Sequence, residues 1–306
     1  MKELAEILHE WERRRDQAVA LATLVRAQGS SYRRVGARML IASDGSRVGS
    51  LSAGCLEEEV ATCARQVIHT REPTMMSFDT RRRFGCDGSI EIFVEPAAEE
   101  FLADLARHFL LRRTCIIATV FEKAERLGSF ISTLDYVKAG TLCQIVEPPL
   151  RLIVVGDEPE LPSLETFART LGWQIMNCRS VAEFPSEFDS RTAALIKTHH
   201  YGRDCAALRF LLPKGLPYLG LIGPPRRRDR ILGDVLDSGA EMGSQLFAPA
   251  GLDLGAESPE EVALSVIAEI QCVFGQGSGE SLRSLKAPIH CAREKLHPAS
   301  AEIIRG

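Results

Sequence analysis

The sequence predicts an α/β protein, an N-terminal α/β domain followed by a Rossmann-like domain built on a doubly wound parallel sheet. From Leu152 onward, short β-rich apolar runs alternate with helical patterns, the order that builds a parallel sheet. At 306 residues the chain is long enough for two cores of ordinary size. Between the halves, Glu147-Pro148-Pro149 interrupts the pattern, which sets the expected domains at 1–148 and 149–306.

In the first half, residues 2–15 place Leu4, Ile7, Leu8 and Trp11 on one face of a charged helix. Val19 to Val25 and Arg38 to Ala42 read as strands, the second followed by a Ser43-Asp44-Gly45-Ser46 turn. A helix is expected over Glu57 to Ile68, a strand from Ser89 to Val94, and a helix over roughly Ala97–Leu111 after Glu95-Pro96. Thr114 to Phe121 and Thr141 to Val146 complete the half as strands.

The second half begins with the strand Leu152 to Val155 before Gly156, then a helix from Leu161 to Leu171 that stops at Gly172. Strands follow at Trp173 to Cys178, Ala193 to Thr198 and Tyr218 to Ile222, with a helix near Asp204–Leu212. Ser258-Pro259-Glu260-Glu261 combines a capping serine, a proline at the first helical position and a capping-box glutamate. The helix it opens is expected to run to about Phe274.

Composition narrows the function classes. A net charge of -4 gives no basis for general nucleic-acid binding. No apolar run approaches the ~20 residues of a membrane span, and the charged start Met1-Lys2-Glu3 does not read as a signal peptide. Nine scattered cysteines without a C-x-x-C pair fit reduced thiols in the cytoplasm better than a disulfide framework or a ribbon-type zinc site.

Chemistry concentrates in the first ninety-five residues. Gly29-Ser30-Ser31 opens a loop that carries Arg33, Arg34 and Arg38, so hydroxyls, backbone donors and guanidinium forks suit a phosphate together. Gly54-Cys55 stands where a loop enters a helix, a position that favours a thiolate. Gly85-Cys86-Asp87-Gly88 follows Arg81 to Arg83, and small flanking residues let a bulky ligand approach. Plainer roles also fit: Cys55 as a small buried hydrophobe, Cys86 in a tight turn, the arginines as solvated charges. Cys63, Cys115, Cys143 and Cys272 fall in apolar periodic segments and are expected in the core.

The second half lacks the loop a dinucleotide needs. Gly156-Asp157-Glu158-Pro159 has no second or third glycine, and its two acids would repel a pyrophosphate. Asn177-Cys178-Arg179 replaces the acid that grips a ribose, so NAD(P) is not expected. His199 and His200 diverge too far to bind one ion together if they lie on a strand. Arg226-Arg227-Arg228 is either a solvated helix start or a second anion contact.

The ordered set of Gly29-Ser30-Ser31, Gly36-Ala37-Arg38-Met39, Gly54-Cys55-Leu56-Glu57, Gly85-Cys86-Asp87-Gly88 and Glu95-Pro96 resembles the xanthine dehydrogenase accessory factor (XdhC/CoxI) family. Tyr218 to Gly223, Pro249 to Ala256 and Ser258 to Ser265 extend the resemblance over the whole chain. It implies a cofactor-binding chaperone without a catalytic group. Such a protein binds molybdenum cofactor, shields it during sulfuration and passes it to an apo molybdenum hydroxylase, with contacts to a cysteine desulfurase and homodimer formation. The implied cofactor contacts are Ser30, Ser31, Arg33, Arg34, Arg38, Gly54, Cys55, Gly85 and Cys86, with Cys55 and Cys86 as molybdenum contacts. Against the family pattern stand Asp157-Glu158-Pro159 and Asn177, and Ala53 and Asp87 occupy positions often held by glycine. A nicotinamide-dependent oxidoreductase and a cofactor-free scaffold joining desulfurase to hydroxylase are the alternatives.

Overall fold

The computed structural model describes residues 2–29, 31–52, 54, 56–79, 88–122, 125–132, 139–157 and 162–284. They fall into two compact units that divide between Pro148 and Pro149.

The first unit is built on a five-stranded antiparallel sheet and a three-stranded one. The first comprises β1 (Val19–Gly29), β2 (Arg38–Ala42), β3 (Arg47–Gly49), β4 (Thr74–Asp79) and β5 (Gly88–Pro96), in the order β3-β2-β1-β5-β4. The second comprises β6 (Cys115–Val120), β7 (Gly128–Ser132) and β8 (Thr141–Val146), in the order β7-β6-β8. Alternation along β1 divides the larger sheet into two faces. Ala20, Ala22 and Leu24 join Met39 and Ile41 beneath helix α2 (Glu57–Thr70), which contributes Val60, Ala61, Ala64 and Val67. Val19, Leu21, Leu40 and Ala42 face the other way. They pack with α1 (Lys2–Arg13), α3 (Glu99–Leu110) and the three-stranded sheet through Ile7, Trp11, Leu105 and Ile117.

The second unit has the parallel order β10-β9-β11-β12-β13, from β9 (Arg151–Val155), β10 (Gln174–Cys178), β11 (Thr192–Ile196), β12 (Tyr218–Leu221) and β13 (Leu246–Phe247). Helices α5 (Tyr201–Leu211) and α6 (Pro225–Asp237) cover one face through Ala207, Leu208, Leu211, Ile231 and Val235. Helices α4 (Pro162–Thr170) and α7 (Pro259–Gly275) cover the other through Leu164, Ala168, Val266 and Ile270. Strands buried on both faces need continuous apolar runs, which Leu152 to Val155 and Ala193 to Ile196 supply. The α/β class and the Rossmann-like second half are as the sequence predicts. The antiparallel pairing of the first half is added by the structure. The capping box at Ser258 and Glu261 forms as expected, each side chain accepting a backbone N–H of the other end of the motif.

β3, β4 and β7 carry no clear sequence signal because they are edge strands with few buried residues. β1 continues past Val25 to Gly29 although its burial fades, because the ladder to β5 persists to the Gly29–Gly88 pair. Cys115 is buried, whereas Cys63, Cys143 and Cys272 are only partly so. Among the described residues no helix is long and apolar enough to cross a membrane.

Candidate functional site

In the first unit, antiparallel register sends the breaks that flank the chemically marked segments toward one end of the five-stranded sheet, at two levels. β2 and β3 break beside Thr23, and β1, β4 and β5 about 20 Å further along at Gly29. β1 ends at Gly29, which pairs with Gly88 at the start of β5, and Asp79 at the end of β4 pairs with Ser89. β2 starts at Arg38 opposite Thr23, and Gly49 at the end of β3 pairs with Met39. The chain therefore leaves or re-enters the sheet at this end on either side of segments 30–37, 50–56 and 80–87. Ser30, Cys55, Gly85 and Cys86 lie outside the described residues. Ser31, Arg33, Arg34, Arg38 and Gly54 can be placed.

The loop before α2 is organised around Glu57, a residue to which the motifs give no role. Glu57 is only 6% exposed. It accepts the N–H groups of Ser52 at 2.9 Å, Leu56 at 3.1 Å and Leu51 at 3.3 Å, and the hydroxyls of Ser52 at 2.6 Å and Ser50 at 3.2 Å. Burial alone would push the Glu57 pKa up. The hydrogen bonds from Ser52 and its neighbours outweigh it and hold the pKa at about 2. Of the helix-start N–H groups the carboxylate takes up those of Leu56 and Glu57, whereas Leu51 and Ser52 are donors of the loop before it. The sequence carries a signal for this, since an acid just inside a helix after two serines has local donors to collect. Gly54 adopts φ +104°, and a Cβ there would meet nothing within 4 Å, so this stretch borders open space.

The arginine loop divides its charges between surface and interior. Arg34 is exposed. Arg33 is ion-paired to Glu3 of α1, and the Ser31 hydroxyl donates to the Arg33 carbonyl at 2.8 Å. Arg38 is turned the other way and only 2% exposed. It shares a sheet face with Leu40 and Ala42, toward the three-stranded sheet, as the alternation of β2 requires. Its guanidinium donates to the Gly36 carbonyl at 3.1 Å, to Gln144 Oε1, and to Thr119 Oγ1 at 3.3 Å. Desolvation lowers its pKa to about 10, opposed by the field of Glu95. Glu95 is itself buried and accepts the Ser129 N–H at 2.7 Å and hydroxyl at 2.5 Å, and its pKa is raised by desolvation. Arg38 thus braces the base of the arginine loop from within, while Arg33 and Arg34 stand on its outer side.

The thiols of Cys178 and Cys205 are held above the usual range by burial. Burial pushes Cys115 up to about 11 and raises Cys63 and Cys143 as well. Among the described residues no group of three or more His, Cys, Asp and Glu side chains is placed to hold a metal ion.

In the second unit, Asp157 follows the first strand directly and is gripped by both terminal nitrogens of Arg203, at 2.5 and 3.1 Å. His199 and His200 fall beyond β11 and are exposed, His199 in a left-handed conformation and His200 as the N-cap of α5. Arg226 to Arg228 open α6. Arg227 is committed to Asp204, and Arg228 donates to the Ala248 carbonyl at 2.8 Å.

Comparison with known proteins now bears on these two units. Residues 12–79 match the XdhC and CoxI family, and residues 152–270 match the XdhC Rossmann domain. A probable xanthine dehydrogenase subunit of Bacillus subtilis (strain 168) is 31% identical, over 83% of this chain and 92% of its own length. The chain belongs to the XdhC and CoxI family. The molybdenum cofactor insertion chaperone PaoD of Escherichia coli (strain K12) is 25% identical, over 84% of each chain. A crystal structure of a xanthine dehydrogenase from Bacillus halodurans superimposes with a TM-score of 0.75 at 25% identity, covering 94% of this chain and 98% of its own. The XdhC and CoxI match takes in the Arg33–Arg38 loop and the Glu57-organised loop, and the XdhC Rossmann match spans β9 to α7.

Proposed function

We propose that this protein is an accessory chaperone that takes molybdenum cofactor as cargo and supports its insertion into a molybdenum hydroxylase such as xanthine dehydrogenase. The observation that carries this reading is the departure of three motif-bearing segments from one end of the five-stranded sheet. The donor set at that end suits the cargo. Arg33 and Arg34 offer planar forks for the pterin phosphate, Gly54 leaves room for close approach, and Cys55 and Cys86 supply soft sulfur for a molybdenum centre. Arg38 and Glu57 act as positioning residues beneath the loops. Residues 1–148 form the cargo domain in this proposal, and 149–306 a Rossmann-like domain with a degenerate glycine loop.

The finer parts of the proposal are support for sulfuration through a cysteine desulfurase, a homodimeric state and a cytoplasmic setting. The test is anaerobic purification from cofactor-producing cells, reading bound molybdenum by elemental analysis and pterin by fluorescence. Wild type is expected to carry both in substoichiometric amounts, with Cys86→Ala, Cys55→Ala and Arg34→Ala carrying less. Equal loading of wild type and Cys86→Ala would remove Cys86 from the site, and absence of pterin from wild type would sink the chaperone reading.

A further inference from the structure

β10 lies on one side of β9 and β11 on the other, so the chain order of the parallel sheet reverses between β9 and β11. Open α/β sheets bind ligands in the crevice outside the carboxyl ends of the strands at that point. Here Lys197, the residue after β11, is 6% exposed. Its Nζ donates to the Asp157 carbonyl at 3.1 Å, and no carboxylate of the described residues lies within ion-pair distance. The neutral carbonyl takes one of the three N–H groups of the ammonium, and the Asp157 carboxylate feels its field without forming an ion pair with it.

The neighbours reinforce the imbalance. Arg203 grips Asp157 and also donates to the Arg179 carbonyl at 2.6 Å, at the end of β10. Asp157 has its pKa lowered by the hydrogen bond from Arg203 and by the fields of Arg203, Arg179 and Lys197. Glu183 accepts the Arg179 N–H at 2.9 Å. Arg227 and Asp204 form a closed pair at 2.5 Å, the latter also bonded to the Thr198 hydroxyl at 2.5 Å. Among the described residues this leaves Lys197, Arg179 and Arg203 facing Asp157 and Glu183, a local excess of positive charge. Glu158 and Glu160 lie outside the described residues. His199, two positions past Lys197, holds φ at +55°, a conformation costly for a non-glycine residue and concentrated at ligand sites.

We propose that this crevice binds a phosphomonoester, with Lys197 as counter-charge and Arg203 exchanging the Asp157 carboxylate for phosphate oxygens. A monocarboxylate would offer Arg203 no more than Asp157 already does, whereas a phosphate dianion adds both charge and acceptors. One phosphoryl group fits better than two. A Cβ at Gly156 would stand 3.0 Å from Lys197 Cγ, so the backbone closes on the lysine at once, and no further glycine extends a cradle.

The experiment is calorimetric titration of the full chain at low ionic strength with inorganic phosphate, AMP and acetate. Phosphate and AMP are expected to saturate below about 10 mM, and acetate to give no saturable heat. Lys197→Gln should weaken phosphate binding about tenfold, and Asp157→Asn should tighten it several-fold by releasing Arg203. No saturation by wild type, acetate binding as tight as phosphate, or unchanged affinity in Lys197→Gln would each overturn the proposal. If circular dichroism shows Lys197→Gln unfolded, Asp157→Asn decides, and weaker or unchanged binding in that variant refutes the exchange.

Discussion

Ser52 holds Glu57 twice, its N–H 2.9 Å from one carboxylate oxygen and its hydroxyl 2.6 Å from the other. Both groups lie on a segment without regular secondary structure, so the order of this loop depends on one side chain in the first turn of α2. Glu57→Gln keeps the shape but replaces an acceptor-only carboxylate with an amide that must turn an NH₂ toward donors. The expected loss is about 2 kcal/mol of unfolding free energy, measured by urea denaturation at pH 7.

The same carboxylate gives a signature in pH. Its folded pKa of about 2 lies below the ordinary value of 4.5, so its stabilising contribution is complete above about pH 5 and disappears as pH falls through 2. The full contribution is on the order of 3 kcal/mol. Stability measured from pH 6 to pH 2 should therefore fall less steeply in Glu57→Gln than in wild type. Parallel profiles would remove Glu57 as the source.

Gly49 and Gly54 should respond very differently to alanine. Both have positive φ, but a Cβ at Gly49 would lie 2.3 Å from the Arg38 carbonyl oxygen, while one at Gly54 meets nothing. Gly54→Ala is expected to cost about 1 kcal/mol from backbone strain alone. Gly49→Ala must displace β2 from β3 and should cost more than about 3 kcal/mol or prevent folding. Thermal unfolding of the purified variants separates them.

Gln144→Ala tests the brace beneath the arginine loop. It removes the side-chain carbonyl that receives Arg38 and leaves a buried guanidinium with only Gly36 and Thr119 as acceptors. A loss of about 2 kcal/mol is expected in urea denaturation, while Arg33→Ala, which breaks a half-exposed pair with Glu3, should cost less than about 1 kcal/mol.

The second unit is largely legible in the sequence because βαβ order, continuous apolar strands and the Ser258–Glu261 capping box each specify one local structure. In the first unit the buried helix faces can be read, but the pairing direction of the strands cannot. An antiparallel sheet covered on both faces gives the same apolar runs as a parallel one. Residue type draws attention to the arginines, yet Arg38 is inside because it opens β2, a strand buried on both faces, while Arg33 and Arg34 lie in the loop before it. Glu57 closes the Gly54-Cys55-Leu56-Glu57 motif, yet its role is faint in the sequence because its partners are mainly backbone N–H groups. Lys197 is inconspicuous beside the two histidines that follow it, since its bond to a backbone carbonyl in place of an ion pair is a property of space and not of spacing.

The buried carboxylate of Glu57 also bears on the kinetics of cargo exchange in the proposed chaperone role. With Leu51, Ser52 and Leu56 fastened to it from behind, those residues surrender their conformational freedom when the chain folds. An arriving ligand meets a rim already fixed there, so little further ordering accompanies capture and little disorder is regained on release. Both steps can then be quick, as the proposed carrier role requires.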